Sequence, residues 1–152
     1  MQGNELPFNP SRSEEIQGLV NDMVVNGIPF HKTATLTSAL GDTAVDLVPD
    51  VEVNNGKKVY LQGFMLNVNG AVAWGGGIAN VKIQDKAGVD LMTDLIADLL
   101  ANAVVMQDGA NVTKEAAWIA GAGATAGRGL QVVADAAGTG SDLIVQVWGV
   151  IK

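Results

Sequence analysis

Hydrophobic positions along the chain follow two different periods. Ile16, Leu19, Val20, Met23 and Val24 recur at the i, i+3, i+4, i+7, i+8 spacing of one helix face. Ser11 followed by Glu14 has the form of a capping box, and Asn26-Gly27 with Pro29 closes the segment. A helix is predicted at about 13–25. Ahead of it Pro7 and Pro10 oppose helix, and Leu6 and Phe8 are apolar without periodic context. Residues 1–12 therefore read as an extended arm, either disordered or docked on a partner.

From His31 the period drops to two. "HKTATLTS" and "DTAVDLVP" alternate, and "KKVYLQGFMLNVNG" alternates through Val59, Leu61, Phe64, Leu66 and Val68 with a change of phase near Gly63. A lone glycine at a phase change predicts a bulge or bend. "IANVKIQD" runs into the turn "DKAG". The stretch "DLMTDLIADLLANAV" fits both periods, and divides into a strand at 89–93, a short helix at about 94–101 and a strand at 103–106. Further on come "GLQVVAD" and "LIVQVWGVI". About nine short strands separated by turn signals, with no β–helix–β alternation, predict a mainly β fold. The expected architecture is an antiparallel, jelly-roll-like β-sandwich with a short N-terminal helix and an extended arm. The organisation is then an arm at 1–12, a helix at 13–27 and a single sandwich domain at 28–152. In the last strand Leu143, Val145, Val147 and Ile151 lie on one face, and Ile144, Trp148 and Val150 on the other. A strand apolar on both faces is central in a sandwich or covered by a neighbouring subunit.

Composition sharpens this. The 152 residues suffice for one domain with one core. The net charge is −7 and the nine basic residues are scattered, which sets nucleic-acid binding aside. Charged residues are 16 % of the chain against the usual value of about 25 %, so part of the surface is expected to be buried in an assembly. No apolar run reaches the length of about 18 residues that a membrane span needs, and no basic leader precedes an apolar stretch. The expectation is a soluble protein made in the cytoplasm.

Candidate chemistry is sparse. "WIAGAGATAGRGLQVVAD", Trp118 to Asp135, resembles a phosphate-cradling glycine loop at first sight. Such a loop must open a helix whose N-terminus holds the phosphate. Here Leu130, Val132 and Ala134 alternate after the glycines, which is a strand, so a strand–turn–strand with hairpin geometry and no ligand is expected. His31 is the only histidine and there is no cysteine, so zinc and cysteine chemistry are set aside. No serine sits in a nucleophile elbow. Asp90, Asp94 and Asp98 would stack on one helix face, read as a solvated face, with calcium there or at "DGANVTKE" as the minor alternative. Trp74, Trp118 and Trp148 read as core or subunit contacts. No catalytic, cofactor-binding or metal-binding residue is expected, and the chain reads as a non-enzyme.

From Lys57 onward, "VYLQGFMLNVNGAVAW", "VKIQD", "NAVV", "ANVTKEAAW" and "TAGRGLQVVADAAGTGSDLIVQVWGVIK" resemble small virion structural proteins of tailed bacteriophages. The resemblance implies a jelly-roll capsid decoration (cement) or head-fibre protein on the virion surface. Its partners would be itself, as a homo-oligomer with a trimer favoured, and the major capsid protein. The alternative is a receptor- or glycan-binding module of a head or tail fibre. Contacts with capsid or neighbouring subunits are expected at Leu6, Pro7, Phe8, Ile16, Leu19, Met23 and Trp148.

Overall fold

The computed structural model describes residues 10–53, 56–75, 80–95, 98–108, 111–112, 117–118 and 124–152. A helix α1 (Pro10–Asn26) leads through Gly27 into β1 (Ile28–Leu36), followed by β2 (Val45–Val48), β3 (Val59–Asn69), β4 (Asn80–Asp85) and β5 (Asp90–Leu95). Next come β6 (Val104–Asp108), the two-residue strands β7 (Asn111–Val112) and β8 (Ala117–Trp118), then β9 (Leu130–Ala134) and β10 (Asp142–Ile151).

The strands form two antiparallel sheets, ordered β1-β10-β3-β6-β7 and β2-β9-β4-β5-β8. The pairing is nested: β1 pairs with β10, β2 with β9, β3 with β6 and β4 with β5. A long antiparallel ribbon wrapped into two facing sheets in this order is a jelly roll. The expected sandwich is therefore present, with β10 between β1 and β3, one of its apolar faces in the core and the other, with Ile144, Trp148 and Val150, half-buried on the outer side of the sheet.

Alternation along the strands builds the core. In β10 every second residue from Leu143 to Ile151 is buried, and in β9 Leu130, Val132 and Ala134 are. They meet Phe64, Leu66, Val81, Ile83 and Met92 between the sheets, and Trp74 seals the core from a loop. Among the described residues, three bulges adjust the register. In β3, Gly63 pairs with Trp148 but Leu61 with Gly149, leaving Gln62 as the extra residue. This is the predicted change of phase, and it lets Leu61 and Phe64 both face inward although they are three residues apart. Two further bulges were not predicted. One in β2 leaves Leu47 extra and one in β5 leaves Leu91 extra, and each lets two successive apolar residues stay buried, Leu47-Val48 and Leu91-Met92.

Two boundaries differ from expectation. Helix α1 begins at Pro10, so Ser11 lies inside its first turn and not at the cap. Proline suits that place because a first-turn N–H has no helical partner. Residues 10–12 of the expected arm are therefore helical, and residues 1–9 lie outside the described residues. Of the expected helix at about 94–101, Asp94 and Leu95 instead continue β5, residues 96–97 lie outside the described residues, Asp98 is in a 3-10 turn, and a turn with Asn102 in the left-handed region (φ 55°) leads to β6. Cross-strand pairing of Asp94 with Val81 and Leu95 with Asn80 overrides the i, i+4 leucine spacing.

Candidate interaction surfaces

Helix α1 presents the first surface. Every residue from Glu14 to Asn21 is exposed, including the stripe Ile16 (57 %), Leu19 (63 %) and Val20 (47 %). The helix ends where the sequence stops it, at Gly27 with φ +86°. Gly27 is itself buried, and a Cβ there would lie 3.0 Å from the Ile151 carbonyl oxygen and 3.0 Å from the Lys152 Cβ. Of the expected contact residues, Ile16 and Leu19 thus share one exposed stripe. The side chain of Met23 and the whole of Leu6, Pro7 and Phe8 lie outside the described residues.

Trp148 belongs to a different surface, the outer face of the β1-β10-β3-β6 sheet. Its indole lies over Gly63, where any Cβ would overlap the ring, and meets the His31 ring edge-on with centroids 6.3 Å apart. The next row across the sheet is Thr33, Gln146, Met65 and Met106, and the row beyond is Thr35, Ile144, Asn67 and Val104. None of these residues is charged. Charged residue types at outward register positions of these strands are Asp142, which opens β10, and Asp108, which ends β6 opposite Gly63; Lys152 follows β10 with its ammonium 5.1 Å from the Tyr60 ring centre.

The exposed edge of β1 borders a shallow groove of about 470 Å³ between Pro29, Phe30, His31, Lys32, Glu52 and Ile151. Lys32 occupies an inward position opposite Val147, and its ammonium pairs with Glu52 at 2.8 Å. An inward-pointing charge and a proline on an edge strand are devices that prevent strand addition.

The glycine stretch is not a hairpin. β8 pairs with β5, whereas β9 lies between β2 and β4, so the two strands flanking the glycines are not neighbours. Residues 119–123 lie outside the described residues. Its last part, from Ala124 to Gly129, is instead tied down at one end of the sandwich. Ala124 and Gly127 donate their N–H groups to the carbonyls of Val59 and Lys57. Two carboxylates complete the attachment. Asp50 accepts the Gly129 N–H at 2.7 Å and the Arg128 guanidinium at 2.9 Å. Asp85, fully buried, accepts N–H groups from Thr125 (2.7 Å), Ala87 (2.8 Å) and Val89 (2.9 Å).

Burial raises the Asp85 pKa, but hydrogen bonds from Thr125, Val89 and Ala87 outweigh it and hold the carboxyl below its ordinary value. Asp50 is also lowered, chiefly by the Gly129 N–H. A carboxylate whose oxygens are taken up by backbone donors is an anchor, with little capacity left to move protons. Sequence reasoning missed both residues. The signal for Asp85 was present in "DKAG": aspartate opening a tight turn that closes with glycine, seen as the Gly88 N–H on the Asp85 carbonyl at 2.9 Å.

The aspartates expected on one helix face are separated by the strand. Asp90 takes the Lys82 ammonium (2.8 Å) and the Gln84 amide (2.7 Å), which overcome its burial and lower its pKa, whereas Asp94 is buried. Among the described residues no group of three or more His, Cys, Asp or Glu side chains could hold a metal ion. No described helix is long and apolar enough to cross a membrane. No family model, curated protein or solved structure matches the chain.

Proposed function

We propose that the chain is a virion structural protein of a tailed bacteriophage, a decoration protein that self-associates and binds the outer capsid. The observation that carries the reading is the exposed apolar stripe of α1, joined to a closed jelly roll by one wedged glycine. A folded body that holds an uncovered amphipathic helix at its margin is built to attach to something. The low charge content of the chain and the resemblance of its segments to virion proteins support the same reading. In it, the sandwich is a rigid block, and association through apolar surface bridges capsid subunits and raises the barrier to rupture.

The test uses heads from a phage lacking the gene. Added protein is expected to bind their outer surface at regular lattice positions in electron micrographs and to raise the temperature at which DNA is released. Absence of binding overturns the proposal. Binding to a glycan array without binding to heads would favour the fibre-module alternative.

A further inference from the structure

We propose that the α1 stripe of one copy packs on the outer face of the β1-β10-β3-β6 sheet of a second copy. This deepens the self-association in the preceding reading. It concerns the isolated chain, so failure on capsids leaves it standing.

The helix needs cover. Most of a helix's stability in a protein comes from packing its apolar face, and Gly18 in the interior of α1 weakens it by about 1 kcal/mol relative to alanine. Over the described side chains Glu14–Asn21 its own sandwich gives none, since Ile16, Leu19 and Val20 are exposed. Nor is there slack to swing it back over its own sheet. Only Gly27 separates Asn26 from Ile28, and that residue is buried against the end of β10.

Charge selects the receiving surface. The chain carries −7, and Glu14, Glu15 and Asp22 accompany the stripe on α1. Packing α1 on α1 would bring these acids together. The two successive rows of the sheet face that run from Thr33 to Met106 and from Thr35 to Val104 oppose no carboxylate to them. Among the described residues, the other exposed large apolar side chains are Ile28 at the start of β1, Val104 on the sheet face itself, and Leu40, Val51, Val72, Val89 and Leu100 outside the strands.

Dimensions agree. The three long strands β1, β10 and β3, at about 4.8 Å spacing with about ten residues at 3.3 Å, give a face of roughly 14 by 33 Å, which β6 widens to roughly 19 Å over part of its length. A 17-residue helix, about 25 Å long and 10 Å wide, fits within it. Each copy gives one stripe and receives one, an arrangement met by a two-fold pair that exchanges helices and by a closed ring such as the favoured trimer.

The chain has no cysteine, which allows a direct test. Leu19→Cys and Gln146→Cys variants are mixed, treated with a short flexible bis-maleimide and run on a denaturing gel. The mixture is expected to give covalent dimers and each variant alone to remain monomeric. Dimers from Leu19→Cys alone would show helix–helix packing, dimers from Gln146→Cys alone would show face–face packing, and either overturns the proposal. So does a mixture without dimers. Independently, the double variant Ile16→Ser/Leu19→Ser is expected to sediment as a monomer with an unchanged far-ultraviolet spectrum of the sandwich. An unchanged oligomer overturns the proposal.

Discussion

The buried carboxylate of Asp85 accepts the backbone N–H of Thr125 at 2.7 Å, tying two segments that lie forty residues apart. With the bonds from Ala87 and Val89, the same side chain shapes the β4–β5 turn and fastens the end of the glycine stretch. Asp85→Asn puts an NH2 donor where an N–H now points, leaving one buried donor unmatched. The expected loss is about 2–4 kcal/mol, since leaving buried polar groups unsatisfied costs about 1–3 kcal/mol each and more for charged partners. Urea denaturation measures it. An unchanged midpoint would contradict the anchoring role.

Acid sensitivity follows from the same chemistry. Asp50, Asp85 and Asp90 are all held below the ordinary carboxylate value. A group with a depressed native pKa stabilises the fold above its unfolded pKa of about 3.9, and that contribution is lost as pH falls through the native value. The melting temperature should be insensitive to these groups between about pH 5 and 7 and fall below about pH 4. In Asp85→Asn the acid branch should be shallower. Melting curves across pH decide it, and a loss of stability centred near neutrality would point to other groups.

Gly63 and Trp148 form a pair in which one residue makes room for the other. Gly63→Ala forces the indole off its seat, at about 1–3 kcal/mol by the usual scale of overpacking. In Gly63→Ala/Trp148→Ala the clash is absent, so a double-mutant cycle should return a coupling above about 0.5 kcal/mol. Additive losses would mean that the indole is not seated on the glycine.

The edge strand β1 can be probed through Lys32. Lys32→Val removes the inward-facing charge and the ion pair with Glu52 while raising β propensity. Aggregation monitored by light scattering is expected to accelerate with little change in the unfolding midpoint. Equal aggregation of the two proteins would show that the edge is protected by something else.

Much of the fold was legible because burial here follows strict alternation. The phase change at Gly63 even marked a bulge, since a residue without a side chain lets Trp148 lie flat on the strand. The bulges at Leu47 and Leu91 were not legible, because two adjacent apolar residues look like continued alternation until the partner strand fixes the register. The spacing of Leu91 and Leu95 misled for the same reason, with pairing of β5 to β4 deciding what it left open. On the surfaces, the α1 stripe was readable as a stripe, and its exposure became visible only with the fold. The roles of Asp50 and Asp85 depend on contacts with residues 79 and 40 positions away, which no local pattern announces.

The central place of β10 also governs how the protein comes into being. β1 pairs with β10 alone in its sheet, and β10 fills the space between β1 and β3. As the ribosome works forward, β1 waits for a partner made more than a hundred residues later, and β3 keeps one edge bare meanwhile. Pairings of such long sequence separation form slowly, and unpaired strand edges invite aggregation in the interval. The nascent chain is therefore most vulnerable immediately before its last strand emerges, and chaperone dependence should be sought at that stage of synthesis.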